Sequence, residues 1–237
     1  MCTVTFIPKP NNGFVLTSNR DEAPGRATIF PKTYIEDDVK LLYPKDALAG
    51  GTWIGVSQMK RLVTLMNGGF VAHKRNPPYR KSRGVVVTDL LKAKNLHAAV
   101  EAYNFKGIEP FTAIIVAWNK TIQLFQLVWD GETPHFSEEP LAPKIWSSSP
   151  LYPAQLKEKR EQWFSQFLFE KVRPTQEELF HFHKTAGEGD STSNLVMDRG
   201  MVKTKSITQV VKNNETIKMH YKDLQTEKKE ESVFRVQ

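Results

Sequence analysis

The chain has 237 residues, 40% hydrophobic and 25% charged, and 33 Lys and Arg against 26 Asp and Glu leave a formal charge of +7. Fourteen Phe, six Tyr and five Trp exclude disorder for the bulk of the chain, and the longest apolar run, 111–118, is far short of the ~18 residues of a membrane-spanning helix. A single cysteine, Cys2, excludes an intramolecular disulfide, and residues 1–12 have no apolar signal-peptide core, so the cytoplasm is the expected compartment.

No Ser/Gly-rich or Pro-rich linker divides the chain, and one domain over 1–237 is expected. Residues 3–7 read as a β-branched strand, 8–13 (PKPNNG) as a turn and 14–18 as the returning strand of a hairpin. Pairing about a midpoint between Pro10 and Asn11 sets Phe14 opposite Ile7 and Asn19 opposite Cys2. That register brings Asn19, Arg20 and Asp21 beside the first residues of the chain. A second strand pair, 53–56 and 62–66, runs into Asn67, Gly68 and Gly69.

Residues 82–93 and 95–103 read as helices, with Leu90, Leu91, Leu96, Ala99 and Val100 supplying apolar positions. Segments 111–118 and 121–129 form another strand pair, the second apolar enough to be buried on both faces. The clearest helix is 153–172, with Pro in its first turn and Leu156, Trp163, Phe164, Phe167 and Leu168 at helical spacing. A further helix over 175–183 carries a capping box, Thr175 and Glu178. Ile217, Met219 and Tyr221 alternate with Lys218, His220 and Lys222, a strand with one wet face, and 227–231 (EKKEE) reads as a solvated stretch. This order predicts an α+β fold of antiparallel sheets with helices packed outside.

Cys2 stands out by position. Removal of Met1, the normal fate of an initiator before so small a residue, leaves a thiol and a free α-amine on one residue. Their ordinary pKa values, about 8.5 and about 7.7–8.0, lie close enough for the amine to act as base for its own thiol. The competing reading is a small buried hydrophobe opening a strand. Asn19-Arg20-Asp21-Glu22 ends an otherwise apolar strand, where Arg20 favours a thiolate and Asp21 can hold an ammonium. A solvated loop is its bland alternative. Asn67-Gly68-Gly69 offers oxyanion donors or a simple glycine turn. The pair His181 and His183 lacks a third ligand and reads as a helix feature rather than a metal site. The basic run 73–83 reads as a solvated loop before it reads as a phosphate contact.

Met1-Cys2, Asn19-Arg20-Asp21-Glu22, the segment Gly51-Thr52-Trp53-Ile54-Gly55-Val56 and Ser82-Arg83-Gly84 opening a helix together resemble the NRDE family, also called the transport and Golgi organisation protein 2 family. More distantly the chain is similar to the cysteine N-terminal nucleophile (Ntn) hydrolases. The resemblance implies a four-layer αββα sandwich of two antiparallel sheets. It also implies Cys2 as nucleophile, Arg20 and Asp21 as its partners and Asn67 at the oxyanion position. Asn19, Ser148 and Asn194 are the expected substrate-binding residues, Ser148 standing where those enzymes carry a second Asn. Their arginine directly precedes the Asn-x-Asp string, where this chain has Ser18.

The expected function is hydrolysis of a non-peptide C–N amide bond through a Cys2 thioester, with neither metal nor other cofactor. The alternative is a non-catalytic protein handling a lipid, acyl-CoA or haem in the same cleft. The expected partner is a small-molecule amide or lipid-like ligand, and nucleic acid ranks last. No feature of the sequence specifies an oligomeric state.

Overall fold

The computed structural model describes residues 2–235, without the side chain of Cys2. The chain opens with six strands: β1 (Cys2–Lys9), β2 (Gly13–Glu22), β3 (Thr28–Glu36), β4 (Val39–Asp46), β5 (Ile54–Ser57) and β6 (Arg61–Asn67). Helices α1 (Arg83–Lys92) and α2 (Leu96–Ala102) lead to β7 (Phe111–Ala117), β8 (Gln123–Trp129), β9 (Pro134–Glu139) and β10 (Lys144–Ser147). Helices α3 (Ala154–Glu170) and α4 (Gln176–Thr185) precede β11 (Lys203–Asn213), β12 (Thr216–Asp223) and β13 (Lys229–Arg235).

Two antiparallel sheets result, one ordered β10-β1-β2-β11-β12-β13 and the other β3 to β9 in sequence. Strand alternation sorts the apolar residues into three cores. Val4, Phe6, Phe14 and Leu16 meet Ile54, Val56, Ile114 and Val116 between the sheets. Val63 and Leu65 face Val86 and Leu90 of α1. Ile7, Val15 and Val211 face Phe164 of α3 and Phe182 of α4. The layers therefore run helix, sheet, sheet, helix, the expected sandwich. Strand β8 is buried on both faces because Leu124 joins the inter-sheet core while Phe125 and Leu127 join the α1 core.

The hairpin register differs by one residue from the expected one. Asn11 and Asn12 both take left-handed φ, 56° and 54°, so the turn holds three residues and Lys9 pairs with Gly13. Asn tolerates that conformation better than most residues. Ile7 consequently pairs with Val15, and Cys2 pairs with Arg20 rather than Asn19. A one-residue slip exchanges faces. Arg20 therefore shares the inter-sheet parity of Leu16 and Phe14, whereas Asn19 and Asp21 turn towards α3 and α4.

The stretch read as solvated is half strand. Lys229 to Glu231 belong to β13, an edge strand whose charges face solvent and whose Phe234 is 1% exposed and packs between the sheets.

Candidate active site

The start of β1 is held between two strands. Cys2 pairs with Arg20 of β2, and Thr3 pairs with Ser147 of β10. Met1 and the Cys2 side chain, on which the expected chemistry turns, lie outside the described residues.

Arg20 is 3% exposed, and its guanidinium lies 4.3 Å above the centre of the Trp53 ring. It donates from Nη2 to Asp46 Oδ2 at 2.5 Å and from Nη1 to Thr28 Oγ1 at 3.1 Å. Asp46 also accepts from Arg26 Nε at 2.9 Å and from the amides of Leu48 and Ala49 at 3.0 and 2.8 Å. Burial opposes its ionisation, but the Ala49 amide and the two arginines outweigh burial and hold the carboxyl below its usual range.

These groups form one wall of a cavity of about 110 Å³. Trp53, Glu22 and Asn67 continue it, and Ser82, Arg83 and Gly84 at the start of α1 close it. The helix start is seated there because two glycines meet: a Cβ on Gly51 would lie 2.5 Å from the Gly84 carbonyl carbon. The Thr52 amide donates to Gly84 O at 3.2 Å, so both sequence motifs serve one close contact.

Asn67 ends β6 beside a second cavity, of about 220 Å³, lined by Met66, Phe70, Val128 and Trp146 with Gln126 and Lys157 among its polar groups. Ser148 Oγ donates to Asn67 O at 3.0 Å and Ser149 Oγ to Gly69 O at 2.6 Å, tying β6 to the end of β10. Gly68, at φ +83°, donates its amide to Pro110 O at 2.9 Å. Ser148, 1% exposed, thus supports Asn67 from behind.

Asp21 and Asn19 lie on the helix side of the sheet. Asp21 is fully buried and accepts from the Tyr152 hydroxyl and from Thr204 Oγ1, the latter at 2.7 Å. Burial raises its carboxyl above the usual range, against the opposing pull of these hydrogen bonds and of Arg160. Arg160 itself is fully buried, stacked 3.6 Å from the Tyr152 ring centre and donating to Thr3 Oγ1 at 2.5 Å.

Asn19 gives both amide hydrogens to backbone carbonyls, His183 O at 3.0 Å and Leu195 O at 2.8 Å. Its Oδ1 must therefore accept from His183 Nδ1–H at 2.6 Å, which leaves Nε2 to accept from Thr5 Oγ1–H at 2.7 Å. The imidazole is neutral, and burial followed by the Arg160 charge lowers its pKa to about 3. Asn194 receives the Glu188 amide at 3.1 Å and packs against Gly187, lining neither cavity.

Of the expected residues, the fold therefore gathers Arg20 and Asn67 at one cavity, next to the backbone of Cys2. Asn19 and Asn194 instead fasten α4 and its following loop, and Ser148 anchors Asn67. Sequence reasoning missed Asp46, Tyr152, Arg160, Thr204 and His183 as partners in this arrangement. Asp46 lies in the unassigned segment 28–46, and the others become neighbours only through pairings across more than 100 residues. The run 73–83 proves organised: His73, Arg75 and Arg83 converge on buried Glu109 at 3.2, 3.3 and 3.1 Å. His183 is buried while His181 is exposed, so the two imidazoles do not share a site. Among the described residues, no group of three or more His, Cys, Asp or Glu could hold a metal ion. No described helix is long and apolar enough to cross a membrane.

Two face-to-face antiparallel sheets between helix layers, with an N-terminal strand ending at a cavity, make this the fold of the Ntn hydrolases. Solved structures sharing it include a bile acid hydrolase variant from Clostridium perfringens, at TM-score 0.58 and 8% identity over 100% of this chain and 97% of that one. The Caenorhabditis elegans N-acylethanolamine-hydrolyzing acid amidase ortholog gives 0.60 and 13% over 88% and 92%. Penicillin V acylase from Agrobacterium tumefaciens gives 0.56 and 9% over 96% and 84%. At these identities the likeness is one of fold. The chain belongs to the Transport and Golgi organisation 2 family, whose model matches residues 1–236. Among curated proteins, no sequence match reaches significance.

Proposed function

We propose that the protein is a cysteine amidohydrolase that cleaves a non-peptide C–N amide bond from the terminal residue exposed by loss of Met1. The observation that carries this reading is the pairing of Cys2 with Arg20 at a cavity that also holds Asn67. The three solved structures named above are of a conjugated bile acid hydrolase, an N-acylethanolamine-hydrolyzing acid amidase ortholog and a penicillin V acylase, names that support the same chemistry here.

In the reaction, the Cys2 thiol attacks the substrate carbonyl carbon and its proton passes to the α-amine of the same residue. Arg20 lowers the cost of the thiolate, and Asp21 with Arg20 orients the terminus. Asn67 donates its side-chain amide to the tetrahedral oxyanion, a contribution of about 2.7–4 kcal/mol for a well-placed donor. Collapse breaks the C–N bond as the ammonium returns the proton to the leaving amine. Water then attacks the thioester, releasing the carboxylic acid and restoring the thiol.

The test is turnover of a panel of fluorogenic acyl amides by the purified protein and by Cys2→Ala. The expected result is hydrolysis that Cys2→Ala lowers at least 1000-fold. Saturable binding of lipid, acyl-CoA or haem without turnover, unchanged in Cys2→Ser, is the contrary result and would favour the handling role.

A further inference from the structure

The smaller cavity has an excess of unused hydrogen-bond donors, and this bears on what the proposed enzyme would accept. Arg26 spends Nε on Asp46 at 2.9 and 3.1 Å, but its two Nη groups have no partner among the described residues. Asn67 accepts through its backbone carbonyl, and its side-chain amide likewise has no described partner. Ser82 precedes α1 without capping it, and no acidic residue stands in the first turn of that helix. Arg83 places Nη2 on Glu109 at 3.1 Å and Nη1 on Pro110 O at 3.2 Å, which leaves its Nε–H.

The acceptors on the same walls are largely used. Asp46 is filled by Arg20, Arg26 and two backbone amides. Glu22 accepts the Ala23 amide at 2.9 Å through Oε1. Two guanidiniums with unspent N–H groups, Arg26 and Arg83, and the positive end of α1 thus face a space sized for a small group, against Asp46, which is saturated, and the single carboxylate of Glu22. An oxyanion satisfies such a set of donors, and a neutral or cationic group leaves it unpaired.

We infer that this cavity is an oxyanion subsite, so that the amide substrate carries a carboxylate or a phosphate, gripped by Arg26 and Arg83, on the part of the molecule that lies against the start of α1. The inference rests on the hydrolase reading only for the word substrate, because the subsite is tested by binding alone.

The probes are N-octanoylglycine and N-octanoylglycinamide, alike in size and differing in one negative charge, titrated calorimetrically into full-length Cys2→Ala protein at fixed ionic strength. The acid is expected to bind at least ten-fold more tightly than the amide. Arg83→Gln and Arg26→Gln each reduce that ratio to below three-fold, and Lys94→Gln, the same charge change at an exposed position, preserves it. Both variants keep a compensated partner, since Glu109 retains His73 and Arg75 and Asp46 retains Arg20. Inorganic phosphate that displaces the acid at a comparable concentration assigns the subsite to phosphate esters, and failure to displace it assigns carboxylates. Equal binding of the two probes, binding of neither with phosphate also silent, or a preference that survives both arginine variants would overturn the inference. Amide turnover that is absent while the acid still binds selectively would count against the hydrolase reading alone.

Discussion

His183 is sealed between α4 and the sheet with both ring nitrogens engaged, one donating to Asn19 and the other accepting from Thr5. Its folded pKa of about 3 lies below the ordinary 6.5, so the unfolded chain takes up a proton that the folded chain refuses. The stability this residue confers is complete above pH 6.5 and is lost as pH falls towards 3. The slope is about 1.4 kcal/mol per pH unit, on the order of 5 kcal/mol in all. Urea unfolding of the wild type and His183→Gln between pH 7 and pH 3.5 checks this: the two stability curves should converge as the medium is acidified. Parallel curves would mean that His183 is protonated in the folded protein. The motif residue Asn19 belongs to this same cluster, and here the sequence was only half legible. Its proximity to Cys2 could be read from the hairpin, but its face depended on whether the pairing is centred between Pro10 and Asn11 or on Asn11 itself. Asn11 and Asn12 carry that information in their tolerance of positive φ, a weaker signal than the Pro and Gly that flank them.

At the level of single elements, the end of β6 shows how a backbone constraint serves the cavity. Gly68 sits at φ +83°, and a Cβ there would lie 2.3 Å from Pro150 Cδ. Gly68→Ala therefore meets two costs, about 1–2 kcal/mol for the left-handed backbone and about 1–3 kcal/mol for overpacking. Urea unfolding should show a loss of about 2–5 kcal/mol, with the overpacking part recovered in Gly68→Ala combined with Pro150→Ala. A loss under about 0.5 kcal/mol for the single variant would refute the close approach. Strands and helices with strong periodicity, such as β8 and α4 with its Thr175 and Glu178 capping box, were readable from sequence because local pattern and tertiary burial agree. Strand β11 was not readable. It is central to its sheet and buried nearly throughout, yet it is written with Thr204, Lys205, Ser206, Thr208 and Gln209, and the side chains of Thr204, Lys205 and Gln209 meet partners that only the folded chain supplies. Lys205, for example, reaches the carbonyl of Pro24 at 2.5 Å. Edge strands β3 and β9 escaped for the opposite reason, having almost no fully buried residue and no clean alternation.

Across the whole molecule, the first strand lies inside its sheet, between β10 and β2. Strand β2 pairs with β1 on one side and with β11, nearly 200 residues later, on the other. The inter-sheet core packs one face of β1 through Val4 and Phe6, while α3, α4 and the Asp21, Tyr152 and Arg160 cluster lie on the other. A nucleophile at a chain terminus has little intrinsic order, so a well-built site requires such clamping from both faces. The central claim is that the clamped end is a free Cys2 whose sulfur carries the acyl group. Intact-mass spectrometry of native protein, quenched during turnover and followed by peptide mapping, addresses it directly. The account predicts a chain lacking Met1 and a transient acyl adduct on Cys2 that is absent from Cys2→Ala. A native chain that retains Met1, or an adduct on any other residue, would contradict it.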